Sequence, residues 1–254
     1  CASIPFITTT TIMSTGFQFK QFFVKHDRCA MKVGTDGVLL GAWAPRSAIY
    51  RILDIGTGSG LIALMLAQRC TDAQIDAIDI DADACAQAAG NFASSPWADR
   101  LHATHCSLQD WQMVNGKCEN GKLYDLIVSN PPYFVDSLKN PDAARSTARH
   151  NDTLPFSELV TISAKLLAPG GTLAIIVPAE VEELLHDLAA AHQLQCSQRC
   201  YIHPKPGRPA KRVLLAWQRS SHEIRDIRTE QLTLENEQGG RSEAYQQLTR
   251  DFYL

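Results

Sequence analysis

Residues 52–60 read Ile-Leu-Asp-Ile-Gly-Thr-Gly-Ser-Gly, an apolar run carrying an acid that passes into three alternate glycines. Ile52 to Ile55 predicts a buried strand. The glycines predict a tight turn open to close approach by a ligand, because a residue without Cβ adopts left-handed dihedrals at no steric cost. Leu61 to Gln68 then has the apolar content of a buried helix. Outward from this unit the alternation repeats. Gln74 to Ile80 predicts a strand, Ala82 to Phe92 a helix, Leu101 to Cys106 a weaker strand and Leu123 to Ser129 a clear one. Pro155 to Leu167 predicts a helix stopped by Pro169-Gly170-Gly171, and Thr172 to Val177 a further strand. Pro178 opens a helix running to about Ala191. Strands alternating with helices of this length form a parallel sheet covered on both faces, with ligands at the carboxyl ends of the strands. The expected class is therefore α/β: a seven-stranded, mostly parallel sheet with helices on both faces. Gln198 to His203 and Arg212 to Gln218 form its antiparallel C-terminal hairpin. Glu223 to Leu234 offers an edge strand, and a final helix carries Tyr245, Leu248 and Phe252 on one face.

The composition fits an ordinary globular chain: 254 residues, 45% hydrophobic and 20% charged. A formal net charge of -3 neither argues for nor excludes a nucleic-acid partner, since local patches outweigh the total. The eight cysteines include no CxxC pair, which predicts free thiols in a reducing cytoplasm and no metal site. The apolar runs fall short of the roughly 20 residues that a membrane span needs. The residues before Met13 lack a basic start and a long apolar stretch, so they do not read as a secretory signal. The expected organisation is a disordered extension over 1–13 and a single domain over 14–254, working as a monomer.

The glycine turn Gly56-Thr57-Gly58-Ser59-Gly60 has GxGxG spacing, not the GxGxxG spacing that seats a pyrophosphate on a helix N-terminus. Asp54 before it would repel a phosphate and accept from an ammonium or a hydroxyl. Asp79 lies about 20 residues on, where a carboxylate can take both ribose hydroxyls of an adenosyl group; Asp81 competes for that role. Asp110, in Ser107-Leu108-Gln109-Asp110, could accept from an adenine amine, although alone it reads as a loop acid or helix cap. Together these features resemble the cofactor half of the Rossmann-like class I methyltransferases. The resemblance implies S-adenosylmethionine (SAM) as methyl donor and S-adenosylhomocysteine as product.

Asn130-Pro131-Pro132-Tyr133 follows the strand ending at Ser129. Two prolines stiffen the backbone and remove two amide donors. The Asn130 amide oxygen and the Pro131 carbonyl can then act as a rigid pair of acceptors. Such a pair can bind both hydrogens of a planar exocyclic amine and draw its nitrogen towards tetrahedral geometry. Asn130 is neutral, so its role is orientation and stabilisation of developing positive charge, not proton abstraction. Tyr133 supplies a face on which a base can stack. The tetrapeptide resembles the [NDS]-P-P-[FYW] signature of the amino-methyltransferases, which act on adenine N6, guanine N2 or a glutamine side chain. Phe17 to Phe22 with His26 to Gly37, and the ending Tyr245 to Leu254, are similar to the bacterial tRNA1(Val) adenine(37)-N6-methyltransferases. That resemblance covers about residues 14 to 254. It implies an adenine in the anticodon loop of a valine tRNA as substrate, and places Lys32, Gly34, Thr35 and Asp36 near the methionine end of SAM.

An RNA substrate needs cationic surface. Arg199, Lys205, Arg208, Lys211, Arg212 and Arg219 follow one another with no acid between them. Lys205, Arg208, Lys211 and Arg212 are the expected tRNA contacts on this stretch. Lys20, Lys25 and Arg28 form a second candidate cluster, with Lys32 beside it, interleaved with Phe17, Phe19, Phe22 and Phe23. Core packing is the simpler reading of the phenylalanines, and a structural role that of His26. The competing functions are a protein glutamine N5-methyltransferase, an RNA guanine N2-methyltransferase and a non-catalytic tRNA-binding module. The glutamine enzymes carry an N-terminal helical domain for which too little chain precedes Ile52.

Overall fold

The computed structural model describes residues 16–29, 32–46, 48–116, 123–132, 154–220 and 224–254. The extension expected over residues 1–13 lies outside them, as does Tyr133. A hairpin of β1 (Gly16–Gln18) and β2 (Phe23–Lys25) precedes α1 (Thr35–Trp43). Then come β3 (Arg51–Ile55), α2 (Leu61–Arg69), β4 (Gln74–Asp79), α3 (Ala82–Ala93), β5 (Leu101–His105), α4 (Leu108–Gly116) and β6 (Tyr124–Ser129). The chain continues with α5 (Phe156–Leu166), β7 (Leu167–Pro178), α6 (Glu182–Ala191), β8 (Leu194–His203), β9 (Arg212–Arg219), β10 (Arg228–Thr233) and α7 (Glu243–Thr249).

Strands β3 to β10 form one sheet in the order β10-β8-β9-β7-β6-β3-β4-β5. Only β9 runs against the others, pairing antiparallel with both β7 and β8. The sheet has eight strands where seven were expected. The eighth is β10, Arg-Thr-Glu-Gln-Leu-Thr, the edge strand expected within Glu223 to Leu234, which pairs parallel with β8. Leu232 is its one buried side chain. The Pro169-Gly170-Gly171 signal also acts differently than expected. It is absorbed as an irregularity inside β7, with Gly170 at φ 79°, where the β6 register passes from Leu167 to Thr172.

Alternate strand residues divide the core into two layers, as the twofold periodicity of a strand requires. Ile52, Leu126, Val128, Ala174, Ile176, Leu214 and Ala216 face the layer that holds α1, α2 and α3. Leu53, Ile127, Leu173, Ile175, Val177, Val213, Leu215 and Trp217 face the layer that holds α5 and α6. Each fully buried Leu, Ile or Val contributes about 1.5–3 kcal/mol, so this double covering is what holds the central strands together. Arg100 donates to the carbonyls of Ala67, Cys70 and Ala73, closing the C-terminal end of α2. Phe19 and Phe22 are buried and stacked at 4.6 Å, whereas Phe17 and Phe23 stay about two-fifths exposed. Tyr245 and Phe252 are buried beneath the C-terminal segment, Phe252 from a turn after α7 rather than from the helix itself.

Candidate active site

Strand order reverses direction at β3. From there the chain winds outward to β4 and β5, then returns to place β6 on the other side of β3. Such a switch point opens a crevice outside the carboxyl ends of the two strands. The register pairs Ile55 with Ser129, so Gly56 and Asn130, each one residue further on, emerge side by side at that crevice. Ser129 Oγ donates to the Ile55 carbonyl at 2.9 Å and is buried, which locks the two strand ends together. Asn130 is half-buried, Pro131 buried and Pro132 exposed.

The glycine turn is built as its sequence requires. Gly56, Gly58 and Gly60 have φ of 69°, 56° and 81°. A Cβ on Gly60 would lie 2.5 Å from the Phe92 ring, while nothing of the protein lies within 4 Å of one on Gly56 or Gly58. Gly60 thus packs inward, and the other two present bare backbone to open space. The Gly56 and Thr57 amides donate to the Ile78 carbonyl at 2.9 and 3.0 Å, and the Gly58 amide to Asp79 Oδ2 at 2.8 Å. The turn is therefore strapped to the end of β4.

The acids separate by what they touch. Asp54 is fully buried; Thr57 Oγ1 donates to its Oδ2 at 2.7 Å, while its Oδ1 has no hydrogen-bond partner in the protein. Burial pushes the Asp54 carboxyl up to about 7, against the lowering effect of the Thr57 and Ala63 hydrogen bonds. Asp79 accepts from Gly58 and, through Oδ1, from the Asp81 amide at 2.9 Å. Asp81 instead caps α3, accepting from Asp83 and Ala84. Asp79 thus fronts the turn, and Asp81 ends a helix. Asp110 is exposed in the first turn of α4 and accepts from Ser107 Oγ at 2.7 Å, a capping contact. Ile80, directly after Asp79, is over half exposed.

The remaining candidates fall around the same edge. Thr35 and Asp36 are half-buried in the first turn of α1, and Asp36 accepts from Arg212 Nε at 2.9 Å. Arg212 pairs in register with Pro178 at the carboxyl end of β7, so α1 opens over that end. The loop 204–211 joins β8 to β9 there. Because β9 runs backwards, its connection to β8 lies at the same sheet edge as Gly56 and Asn130. Lys205, Arg208 and Lys211 are exposed on it, and Lys205 also meets Glu235 at 3.1 Å. Lys25 and Arg28 are exposed on and after β2. Lys20 donates to the Arg250 carbonyl at 2.6 Å and so fastens the hairpin turn to the C-terminal segment. His26 Nδ1 accepts from the Val33 amide at 3.4 Å, a local structural contact. Burial, then Asp79 and Asp81, pushes the Cys29 thiol up to about 11, which keeps it protonated. Among the described residues no cluster of three or more His, Cys, Asp or Glu could hold a metal ion, and no helix is long and apolar enough to cross a membrane.

A doubly covered parallel sheet with this glycine turn and these acids defines a class I methyltransferase. The profile of the methyltransferase small domain family matches residues 33–201. A tRNA1(Val) (adenine(37)-N6)-methyltransferase of Parabacteroides distasonis is 52% identical over 94% of this chain and 97% of its own. The enzyme of the same name from Pectobacterium carotovorum is 44% identical over 96% of both chains. A predicted O-methyltransferase from Agrobacterium tumefaciens shares the fold with a TM-score of 0.62, at 16% identity over 85% of this chain and 96% of that one. The chain belongs to the tRNA1(Val) (adenine(37)-N6)-methyltransferase family. SAM is its methyl donor.

Proposed function

We propose that the protein methylates N6 of adenine 37 in tRNA1(Val), with Asn130 to Tyr133 binding the target amine. The observation that carries this reading is the Ile55–Ser129 register, which brings the glycine turn and Asn130 together at the switch point. The names of the relatives support the choice of substrate.

The protein's own groups fit SAM. The unpartnered Asp54 Oδ1 is a buried acceptor awaiting a donor, and the open space at Gly56 and Gly58 admits a ligand against bare backbone. Asp54, Gly56, Thr57, Gly58 and Gly60 would hold the cofactor, with Asp79 on the ribose and Asp110 at the adenine. Thr35 and Asp36 would cover the methionine end, and Ile80 would pack on the adenine face. When bound, SAM supplies an electrophilic methyl group. Asn130 and the Pro131 carbonyl accept the two N6 hydrogens and orient the nitrogen lone pair, and they stabilise positive charge as it develops there. Tyr133 stacks on the base, and Pro132 keeps the acceptors rigid. Residues 14–254 work as one catalytic domain. Covering of both sheet faces by the chain's own helices supports a monomer, and a tRNA substrate supports action in the cytoplasm.

The test is radiolabelled methyl transfer from SAM to bulk tRNA lacking the modification, followed by nucleoside analysis. N6-methyladenosine is expected. N2-methylguanosine, or label in protein, would replace the reading with the corresponding amino-methyltransferase.

Placement of loop 204–211 at the reactive edge supports tRNA phosphates as its ligands. Replacing Lys205, Arg208 and Lys211 by glutamine is expected to weaken tRNA binding about tenfold or more and flatten its salt dependence, with SAM affinity unchanged. Equal tRNA affinity in a filter-binding titration would remove this loop from the interface. Arg212 belongs in a separate variant, because its loss also removes its ion pair with Asp36.

A further inference from the structure

The hairpin and the segment after it, residues 16–29, have no place in the main sheet. They lie along α3, and two buried amides hold them there. Asn91 is 2% exposed. Its Nδ2 donates to the Ser59 carbonyl and to the Lys25 carbonyl, both at 2.8 Å, and its Oδ1 accepts from the Lys25 amide at 3.0 Å. Gln87, one helical turn earlier and 7% exposed, accepts from the Arg28 amide at 2.8 Å. Residues four apart share a helix face, so α3 presents both amides to the same stretch of chain.

The Asn91 contacts join two parts of the molecule that the sheet leaves unconnected. Ser59 belongs to the glycine turn and Lys25 to the N-terminal segment, and one side chain bonds both backbones. Cys29, at the far end of that segment, feels the charges of Asp79 and Asp81. Cys29 thus lies within reach of the charge of Asp79, which fronts the glycine turn. Its other end is fixed independently, by Lys20 on the Arg250 and Phe252 carbonyls.

We infer that Asn91, assisted by Gln87, is a positioning residue that couples the glycine turn to the N-terminal segment, so that SAM binding and docking of residues 25–28 reinforce one another. This rests on the methyltransferase reading. A buried amide that uses both hydrogens on two carbonyls of different segments transmits the position of one to the other, because moving either leaves a buried donor unmet. Lys25 and Arg28, the candidate tRNA contacts on this segment, would then be set in place by the cofactor before RNA arrives.

Hydrogen exchange of the Lys25 and Arg28 amides tests the coupling directly in the full chain. SAM is expected to slow both by about tenfold or more, matching its preference for the docked segment. Asn91→Asp keeps the acceptor for Lys25 but sets a carboxylate oxygen against two carbonyls. SAM Kd and KM are expected to rise about tenfold, with kcat at saturating SAM within about twofold of the parent and the protection by SAM lost. Gln87→Met leaves the glycine turn untouched and is expected to free the Arg28 amide and raise SAM Kd by about threefold. If Asn91→Asp does not fold, the parent and Gln87→Met decide. Unchanged exchange on SAM binding, or a SAM Kd in both variants equal to that of the parent, would overturn the inference alone. A parent chain that binds no SAM would overturn the methyltransferase reading along with it.

Discussion

Asn130→Ala is expected to lower kcat by on the order of 10²–10³ while SAM still binds, the loss typical of removing one preorganised polar group aimed at developing charge. Asn130 stands at the end of β6, which is locked to β3 by the Ser129–Ile55 hydrogen bond, and Pro131 behind it is buried. The acceptor is thus held on rigid elements, and its removal cannot be repaired by a small backbone movement. Single-turnover methyl transfer together with SAM titration measures both halves of the expectation. Full turnover in the variant would sink the proposed role. Asn130→Asp, which restores an acceptor of the same reach, is expected to recover part of the lost rate.

Asp54→Asn is expected to weaken SAM binding by about 30–100-fold, the loss of a hydrogen bond to a charged acceptor in a buried site. The pH dependence provides a second signature. The folded protein raises the Asp54 carboxyl from its ordinary value to about 7 by burial. A group with a raised folded pKa favours folding below its unfolded pKa, and that contribution is lost as pH rises through the folded value. The SAM-free parent should therefore lose stability between about pH 4 and pH 7, by about 1.4 kcal/mol for each unit, and level off above pH 7. That corresponds to about 3 to 6 °C in Tm. SAM binding by the parent should strengthen over the same interval, because the ionised carboxylate is the better partner for an ammonium. Asp54→Asn should show neither slope. A variant whose Tm and SAM affinity track the parent across this range would show that another group governs both.

The central unit was readable because its physics is local. Ile52 to Ile55, the glycines and Leu61 to Gln68 each state their conformation through apolar content or missing side chains. The edges were less readable. Glu223 to Leu234 was legible as an edge strand, but six residues with one buried side chain carry no periodic signal of its bounds, Arg228–Thr233, or of its parallel pairing with β8. In the candidate site, Asp79 and Asp81 are indistinguishable by spacing. Only the capping bonds from Asp83 and Ala84 set them apart. Asn91 was invisible for a related reason. Inside an alanine-rich helix it reads as one polar residue among several, and its partners lie 32 and 66 positions away. Arg212 read as one more cation in a basic run, and its pairing with Asp36 depends on a strand reversal that no local pattern announces.

That reversal has an evolutionary consequence. A parallel strand must be reached by a long crossover, but β9 joins β8 through a short loop alone. Residues 204–211 can change in length, charge or shape while β7, β6 and β3 keep their places, since surface loops tolerate such change at little entropic cost. The loop proposed to meet the nucleic acid is therefore interchangeable, and the sheet beneath it is not. Transplanting this loop between relatives should move preference among tRNAs and leave the chemistry at nitrogen as it was.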